Sequence, residues 1–254
     1  MCLVAFSWKE QSDYPLIISA NRDEFFERPT AKVHQWETGF FGGKDLKSGG
    51  TWMGFHPNGR WSLLTNFRDF RKMGYGEISR GKLVKDFLED SIAPKDYLKE
   101  IEKENDRYEG FNLLVSDGQD LFYLSNFGTG IKEVQPGLYG LSNGLMDEPW
   151  PKTELAKNQL ERTLDTEFSH AALLEILKSK ETYPLEKLPN TGAPKDLEIA
   201  LSAQLIRANG NYGTRSASSI IWNKSGDISI TERSYEWNEQ IFSDALEQFK
   251  LEKK

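Results

Sequence analysis

The chain has 254 residues, 38% hydrophobic, 28% charged and 12% aromatic, and its 32 Lys and Arg against 39 Asp and Glu give a formal charge of −7. That composition fits a globular chain with one sizeable core, read as one domain over residues 1–254 at roughly 150 residues or more per domain. It excludes membrane-spanning helices, because runs such as Cys2–Phe6 and Pro15–Ala20 fall far short of about 20 apolar residues; it shows no secretory signal, and its acidic balance without a basic block excludes a general nucleic-acid binder.

Leu3 to Trp8 and Leu16 to Ala20 read as strands joined by a turn at Asp13-Tyr14-Pro15. Their pairing brings Cys2 near Asn21-Arg22-Asp23-Glu24. Thr51 to His56 and Arg60 to Asn66 form the next hairpin across Asn58-Gly59. Ser79 to Ile92 has an apolar stripe of Leu83, Val84, Phe87, Leu88 and Ile92, which predicts a helix with Ser79 as its cap. Pro94 breaks that pattern, and a second amphipathic helix carries Tyr97, Leu98 and Ile101. Phe111 to Ser116 and Leu121 to Asn126 alternate as a hairpin, and Leu138 to Asn143 is a short strand.

Pro151 to Leu164 predicts a helix with Pro in its first turn. His170 to Leu177 and Leu197 to Ile206 also read as helical. Arg215 to Trp222 and Asp227 to Arg233 form a late hairpin, and Trp237 to Phe249 reads as an amphipathic helix. Strands thus come in hairpins and helices in runs between them, which predicts an α+β domain of antiparallel sheet packed against helices. The loop Tyr183 to Pro194 is linker-like but too short to separate two domains.

The lone cysteine is Cys2, directly after the initiator Met. Methionine is usually trimmed before a small residue, and trimming would join a thiol and a free α-amine on one residue. A thiolate is a strong nucleophile, and an α-amine with an ordinary pKa near ~8 can serve as its base. No catalytic histidine is then required. The plainer reading is a small buried residue that opens a strand; S-palmitoylation is a third, without a basic or membrane anchor to support it.

Asn21-Arg22-Asp23-Glu24 is a solvated strand end on base rates, but beside Cys2 its members gain chemistry. A carboxylate such as Asp23 can orient an amine, and Arg22 can lower a thiol pKa or hold a substrate carboxylate. Asn66 and Asn143 each end a strand; Asn there is ordinarily a turn former, and it can also donate to a developing oxyanion without adding charge. Gly42-Gly43 and Gly49-Gly50 lack the Lys-Ser/Thr ending of a phosphate loop and read as tight turns. Arg215, entering a strand, can face solvent, pair with a carboxylate or reach a pocket. The histidines at 34, 56 and 170 share no metal spacing, a papain-like dyad would need the cysteine at a helix start, and no haem-attachment motif is present.

Asn21-Arg22-Asp23-Glu24, Gly50-Thr51-Trp52-Met53-Gly54, Leu64-Thr65-Asn66-Phe67-Arg68, Leu141-Ser142-Asn143, Pro149-Trp150-Pro151-Lys152 and Tyr212-Gly213-Thr214-Arg215-Ser216, in this order, resemble the NRDE-motif family, whose eukaryotic members are called transport and Golgi organisation proteins. The resemblance runs from Met1-Cys2 to about Arg233. More distantly, the family is similar to the N-terminal-nucleophile hydrolases that cleave bile-salt conjugates and penicillin V. That likeness implies an αββα sandwich, antiparallel sheets between helix layers. It implies Cys2 as nucleophile, Asp23 as its partner, and Asn66 and Asn143 as oxyanion donors. The hydrolases carry an Arg three residues before their Asp, where this chain has Ala20, with Arg22 nearby; Arg215 is the candidate for their C-terminal Arg.

The leading expectation is therefore an N-terminal cysteine hydrolase of a linear amide in a small or acylated substrate. It needs no cofactor or metal, and the protein has a cytoplasmic address by default. The alternative implied by the family is a carrier of haem or of a lipid or acyl-CoA on the same fold, with haem as transported ligand. A role in protein interaction during trafficking rests on the family name alone. The expected partner is a small or hydrophobic ligand, without nucleic acid or stable membrane insertion.

Overall fold

The computed structural model describes residues 2–72, 74, 76–166, 168–208, 210–237 and 241–252. In chain order, β1 (Cys2–Gln11), β2 (Tyr14–Phe25), β3 (Thr30–Gln35), β4 (Phe41–Asp45), β5 (Met53–Phe55) and β6 (Trp61–Asn66) lead into α1 (Gly81–Glu89) and α2 (Pro94–Lys103). Then come β7 (Phe111–Ser116), β8 (Leu121–Ser125), β9 (Lys132–Glu133) and β10 (Gly137–Leu141), followed by α3 (Pro151–Leu164), α4 (His170–Glu175) and α5 (Lys195–Ala200). The chain closes with β11 (Arg207–Ala208), β12 (Tyr212–Trp222), β13 (Asp227–Glu236) and β14 (Ile241–Lys250).

The strands form two antiparallel sheets. One has the order β10-β1-β2-β12-β13-β14, with β11 on β12; the other runs β3-β4-β5-β6-β7-β8-β9. Residue alternation decides the layers. Val4, Phe6, Trp8, Ile18 and Ala20 of the first sheet meet Phe41, Phe55, Trp61, Leu63 and Leu114 of the second in one core. Their odd-numbered neighbours Leu3, Ala5 and Ile17 face the other way and pack on Ala156, Leu160, Leu173 and Leu177 of the α3–α4 region. On the far side of the second sheet, Leu64, Leu113, Val115 and Leu124 pack on Leu83, Val84, Phe87, Leu98 and Ile101 of α1 and α2. The result is helices, sheet, sheet, helices: an α+β, αββα sandwich. Strand β1 is buried on both faces, which is why it reads as a continuous apolar run instead of an alternating one.

Several elements differ from expectation, each for a local reason. Trp237 to Phe249 is not a helix. Residues 238–240 lie outside the described residues, and 241–250 form a strand that pairs residue by residue with Asp227–Glu236. Ala245 and Phe249 pack against the inter-sheet core, with Phe249 stacked on Phe41 at 4.2 Å between ring centroids. A spacing of four satisfies both helical and strand periods, and the open edge of β13 decides for the strand. Leu246 is left 55% exposed as the consequence.

The helix expected over Leu197–Ile206 stops at Ala200, where Lys152 Nζ takes the Leu201 carbonyl at 2.9 Å and Asn21 Nδ2 takes the Gln204 carbonyl at 3.0 Å. Asn21 Nδ2 also donates to Leu177 O at 2.9 Å, beyond the end of α4. Ser79 does not cap α1; Arg80 occupies the cap position, and no side chain caps the helix there. Strands β3, β4, β9 and β11 were not expected from the sequence. Gly50 lies so close to the start of α1 that a Cβ on it would sit 2.5 Å from the Gly81 carbonyl carbon. The bare Cα lets this turn and α1 close one wall of the cleft described next.

Candidate active site

Antiparallel pairing of β1 and β2 sets Cys2 directly opposite Arg22, so the two side chains share the face toward the second sheet. Cys2 is 6% exposed. Burial pushes its thiol above the ordinary value, and the Asp23 carboxylate adds to that; the Arg22 charge and the Asp23 backbone N–H work against it. Arg22 is buried, donates from Nη1 to Thr30 Oγ1 at 3.3 Å, and lies 3.9 Å from Glu24 Oε2.

Asp23 projects from the opposite face of β2. Its register partner on β12 is Thr214, whose Oγ1 donates to Asp23 Oδ1 at 2.7 Å, while Tyr212 donates its hydroxyl to the Asp23 carbonyl at 3.1 Å. Burial raises the Asp23 carboxyl, opposed by the Lys152 charge, the Thr214 bond and the Arg22 charge.

Two loop ends from different sheets are stitched together beside Cys2. Asn66 ends β6, and Asn143 follows β10. Asn143 Nδ2 donates to Asn66 O at 2.9 Å, Arg68 N donates to Asn143 O at 2.8 Å, and Thr65 Oγ1 donates to Ser142 O at 2.6 Å. Ser142 Oγ in turn donates to Cys2 O at 3.1 Å. Bonds between strand ends of this kind fix a loop far more tightly than turn propensity alone.

Cys2, Arg22, Asp23 and Asn66 line one cleft of about 120 Å³, together with Glu24, Arg28, Arg80 and Glu232. Asn143 is fully buried and stands outside that lining; it reaches the cleft through its bond to Asn66. Arg215 is elsewhere. It is the extra residue of a bulge in the β2–β12 ladder, and its Nη1 donates to the carbonyls of Phe25, Phe26 and Arg28 at 2.8–2.9 Å. It lines a separate cleft with Phe26 and Trp237, bracing the turn that follows β2. No histidine stands among the cleft's described lining residues.

A second cavity of about 440 Å³ adjoins the first, sharing Glu24, Arg28, Asn66 and Arg80 with it. Its remaining wall combines the apolar Phe25, Phe67, Phe70, Leu197, Leu201 and Ala208, with Tyr212, and the polar Arg68, Glu109 and Asn211. A polar cleft containing the thiol thus opens onto a chamber suited to a hydrocarbon group.

The description "Transport and Golgi organisation 2" matches residues 1–237. The chain belongs to that family. The Homo sapiens Transport and Golgi organization protein 2 homolog is 32% identical over 258 residues, spanning 92% of this chain and 93% of that protein. Drosophila melanogaster Transport and Golgi organization protein 2 is 26% identical over 275 residues, spanning 94% and 96%. Among solved structures, a Caenorhabditis elegans N-acylethanolamine-hydrolyzing acid amidase ortholog is 11% identical, covering 75% of this chain and 95% of its own, with a TM-score of 0.48. The C2A mutant of the conjugated bile acid hydrolase from Clostridium perfringens is 10% identical, covering 98% and 97%, with a TM-score of 0.46.

Several residues around this candidate site carry no signal in the sequence. Thr214 appeared only within a quoted motif, and its partnership with Asp23 spans 191 residues. Arg28 and Arg80 sit in loops; Arg28 Nε donates to Asp45 Oδ2 at 2.6 Å, and Arg80 Nη1 donates to Gly110 O at 2.8 Å. Glu232 is buried on β13, accepts from Val33 N at 3.2 Å, and is pushed up by burial. Lys152, in the first turn of an amphipathic helix, reads as a surface residue but is 2% exposed. Among the described residues, no group of three or more His, Cys, Asp and Glu could hold a metal ion, and no helix is long and apolar enough to cross a membrane.

Proposed function

We propose that this family member is an N-terminal cysteine amidohydrolase acting on a linear amide of an acylated substrate. Removal of Met1 would free the Cys2 α-amine. That amine takes the thiol proton as Sγ attacks the substrate carbonyl carbon, and Asp23 orients it. The carbonyl oxygen becomes an oxyanion that accepts from Asn66 Nδ2, with Asn143 bracing Asn66. Collapse breaks the C–N bond, the proton passes from the α-ammonium to the leaving amine, and a thioester remains on Cys2. Water, deprotonated by the same amine, then releases the acid and restores the thiol. This reading keeps the cytoplasmic address expected from the sequence.

The observation that carries the reading is the convergence of Cys2, Asp23 and Asn66 on one cleft that opens into the apolar chamber. The chamber favours an acylated substrate over a small polar one. The test is turnover of N-acyl amides of graded chain length by protein whose N-terminus is verified by intact mass. Hydrolysis by the processed wild type, and none by Cys2→Ala, supports it. No turnover and no acyl adduct across the series would remove it.

The same chamber supports the second reading, a carrier for haem or for a lipid or acyl-CoA. Under that reading hydrophobic ligand binds with unchanged affinity in Cys2→Ala and is recovered unaltered. A haem titration without a Soret shift disposes of the haem form.

A further inference from the structure

Cys2 and Asn66 belong to different sheets, Cys2 to β1 of one and Asn66 to β6 of the other. Attack on a carbonyl held by Asn66 needs the spacing between those two layers closely fixed. Apolar packing is non-directional and sets such a spacing only loosely.

A buried polar network crosses the gap. Asn112 of β7 is fully buried and stands opposite Thr65 of β6 and Ser125 of β8. Its Nδ2 donates to Thr65 Oγ1 at 3.0 Å and to Gly144 O at 2.9 Å, and its Oδ1 accepts from the Tyr123 hydroxyl at 2.7 Å. A carbonyl oxygen only accepts, so the Gly144 contact fixes which way the amide faces. Both neighbours extend the network: Thr65 Oγ1 donates to Ser142 O at 2.6 Å, and Tyr123 Oη accepts from Met146 N at 3.2 Å.

Ser142, Gly144 and Met146 are alternate residues of the loop that leaves β10, in the same sheet as Cys2. Side chains from three neighbouring strands of the opposite sheet thus grip this loop at three backbone groups. Asn143 stands between two of the grips; its carbonyl takes Arg68 N, and its Nδ2 donates to Asn66 O. Ser142 Oγ ties the loop to Cys2 O at 3.1 Å. One loop therefore bonds to the backbone of both Cys2 and Asn66. Tyr123 otherwise packs in the apolar core between the sheets, where a hydrocarbon side chain would need no partner at all. What the polar network adds is direction.

We propose that Asn112 is a positioning residue of this site: with Thr65 and Tyr123 it clamps the loop that carries Asn143, and so fixes Cys2 of one sheet relative to Asn66 of the other. The value of that spacing for turnover rests on the hydrolase reading; the clamp itself does not.

The test compares Tyr123→Phe and Thr65→Val, which stay close to the native shape and each remove one hydroxyl, with Asn112→Leu, which removes the hub. Turnover of an N-acyl amide by the processed full chain is measured well below each melting temperature, and nitrogen NMR of labelled protein follows the Asn143 side-chain amide. In Asn112→Leu, kcat is expected to fall about 10²-fold, the scale of a misplacement of about 1 Å, with smaller falls in the hydroxyl variants. KM should change little, because none of the three residues lines the cleft or the chamber. The Asn143 signal should move in all three. A lowered melting temperature with kcat and the Asn143 signal as in the wild type would mark a purely structural network and overturn the assignment. If Asn112→Leu does not fold, the two hydroxyl variants decide in the same way. A wild type that neither turns over the amide nor takes up its acyl group removes the hydrolase reading alone. The Asn143 signal in Tyr123→Phe then decides the clamp: shifted, it stands, and unshifted, it falls.

Discussion

Thr214 Oγ1 donates to Asp23 Oδ1 at 2.7 Å, the two residues standing directly opposite each other in the β2–β12 ladder. The bond stabilises the charged form of a carboxyl that burial alone would raise. Thr214→Val keeps the shape and removes the donor. A hydrogen bond to a charged group is worth about 1.5–3 kcal/mol, so the Asp23 midpoint should rise by about one pH unit or more. The acid limb of kcat/KM against pH should move up equally, and a profile identical to the wild type would contradict this role.

Asn66 and Asn143 should separate by their kinetics. Asn66→Ala removes the proposed oxyanion donor, and kcat is expected to fall about 10²–10³-fold with KM and the melting temperature little changed. Asn143→Ala instead removes a donor to the backbone carbonyl of Asn66, with an expected stability loss of about 1–3 kcal/mol and a smaller loss of kcat. Urea unfolding beside steady-state kinetics checks both; equal kcat losses without destabilisation would show that Asn143 also donates to the oxyanion.

The Arg68–Glu198 pair joins the loop after β6 to α5, with each side chain 4% exposed. Glu198→Ala would remove the carboxylate partner of the buried Arg68 guanidinium, which stands over the Trp150 ring. Breaking a buried pair from one side costs about 3–5 kcal/mol. Because Arg68 N holds Asn143 O, activity should fall too. A denaturation midpoint like the wild type's would mean that the pair contributes little to the fold.

His170 lies between Ser219 Oγ and Ser229 Oγ, each 2.7 Å from one ring nitrogen. Burial lowers its pKa below the ordinary 6.5, and the Ser219 contact only partly opposes this. The folded state therefore prefers the neutral ring. Its contribution to stability is complete above the unfolded value and is lost as pH falls through it toward the folded value, because the unfolded chain takes up the proton first. Urea midpoints at about pH 7.5 and 5.5 should fall further on acidification in the wild type than in His170→Gln. Equal acid sensitivity would exclude His170 as a source.

Local pattern made much of the fold legible. The β1–β2 hairpin, the stripes of α1 and α2, and the proline opening α3 are all written in adjacent residues. Strands β3 and β4 escaped because Thr30–Gln35 is mostly half-exposed and Gly42-Gly43 reads as a turn, so neither shows a clear alternation. Strand β14 was misread because Ala245 and Phe249 fit two periods at once. At the site, Cys2, Arg22 and Asp23 were legible because one hairpin carries them. Lys152, Arg68, Glu198 and Thr214 reach their buried positions only through contacts between distant segments, and nothing in their neighbours signals burial. Arg215 was drawn toward the site by its motif, but the bulge at that position aims it at three backbone carbonyls instead.

The central claim is that Cys2, once amino-terminal, forms a covalent bond to an acyl group. Intact-protein mass spectrometry of processed wild type and Asn66→Ala, quenched in acid after incubation with a long-chain N-acyl amide, tests it most directly. The account predicts loss of Met1 and a mass gain equal to the acyl group less one hydrogen, mapped to Cys2 and absent from Cys2→Ala. Processed protein that stays at its unmodified mass throughout the series, while the amide remains intact, would contradict it.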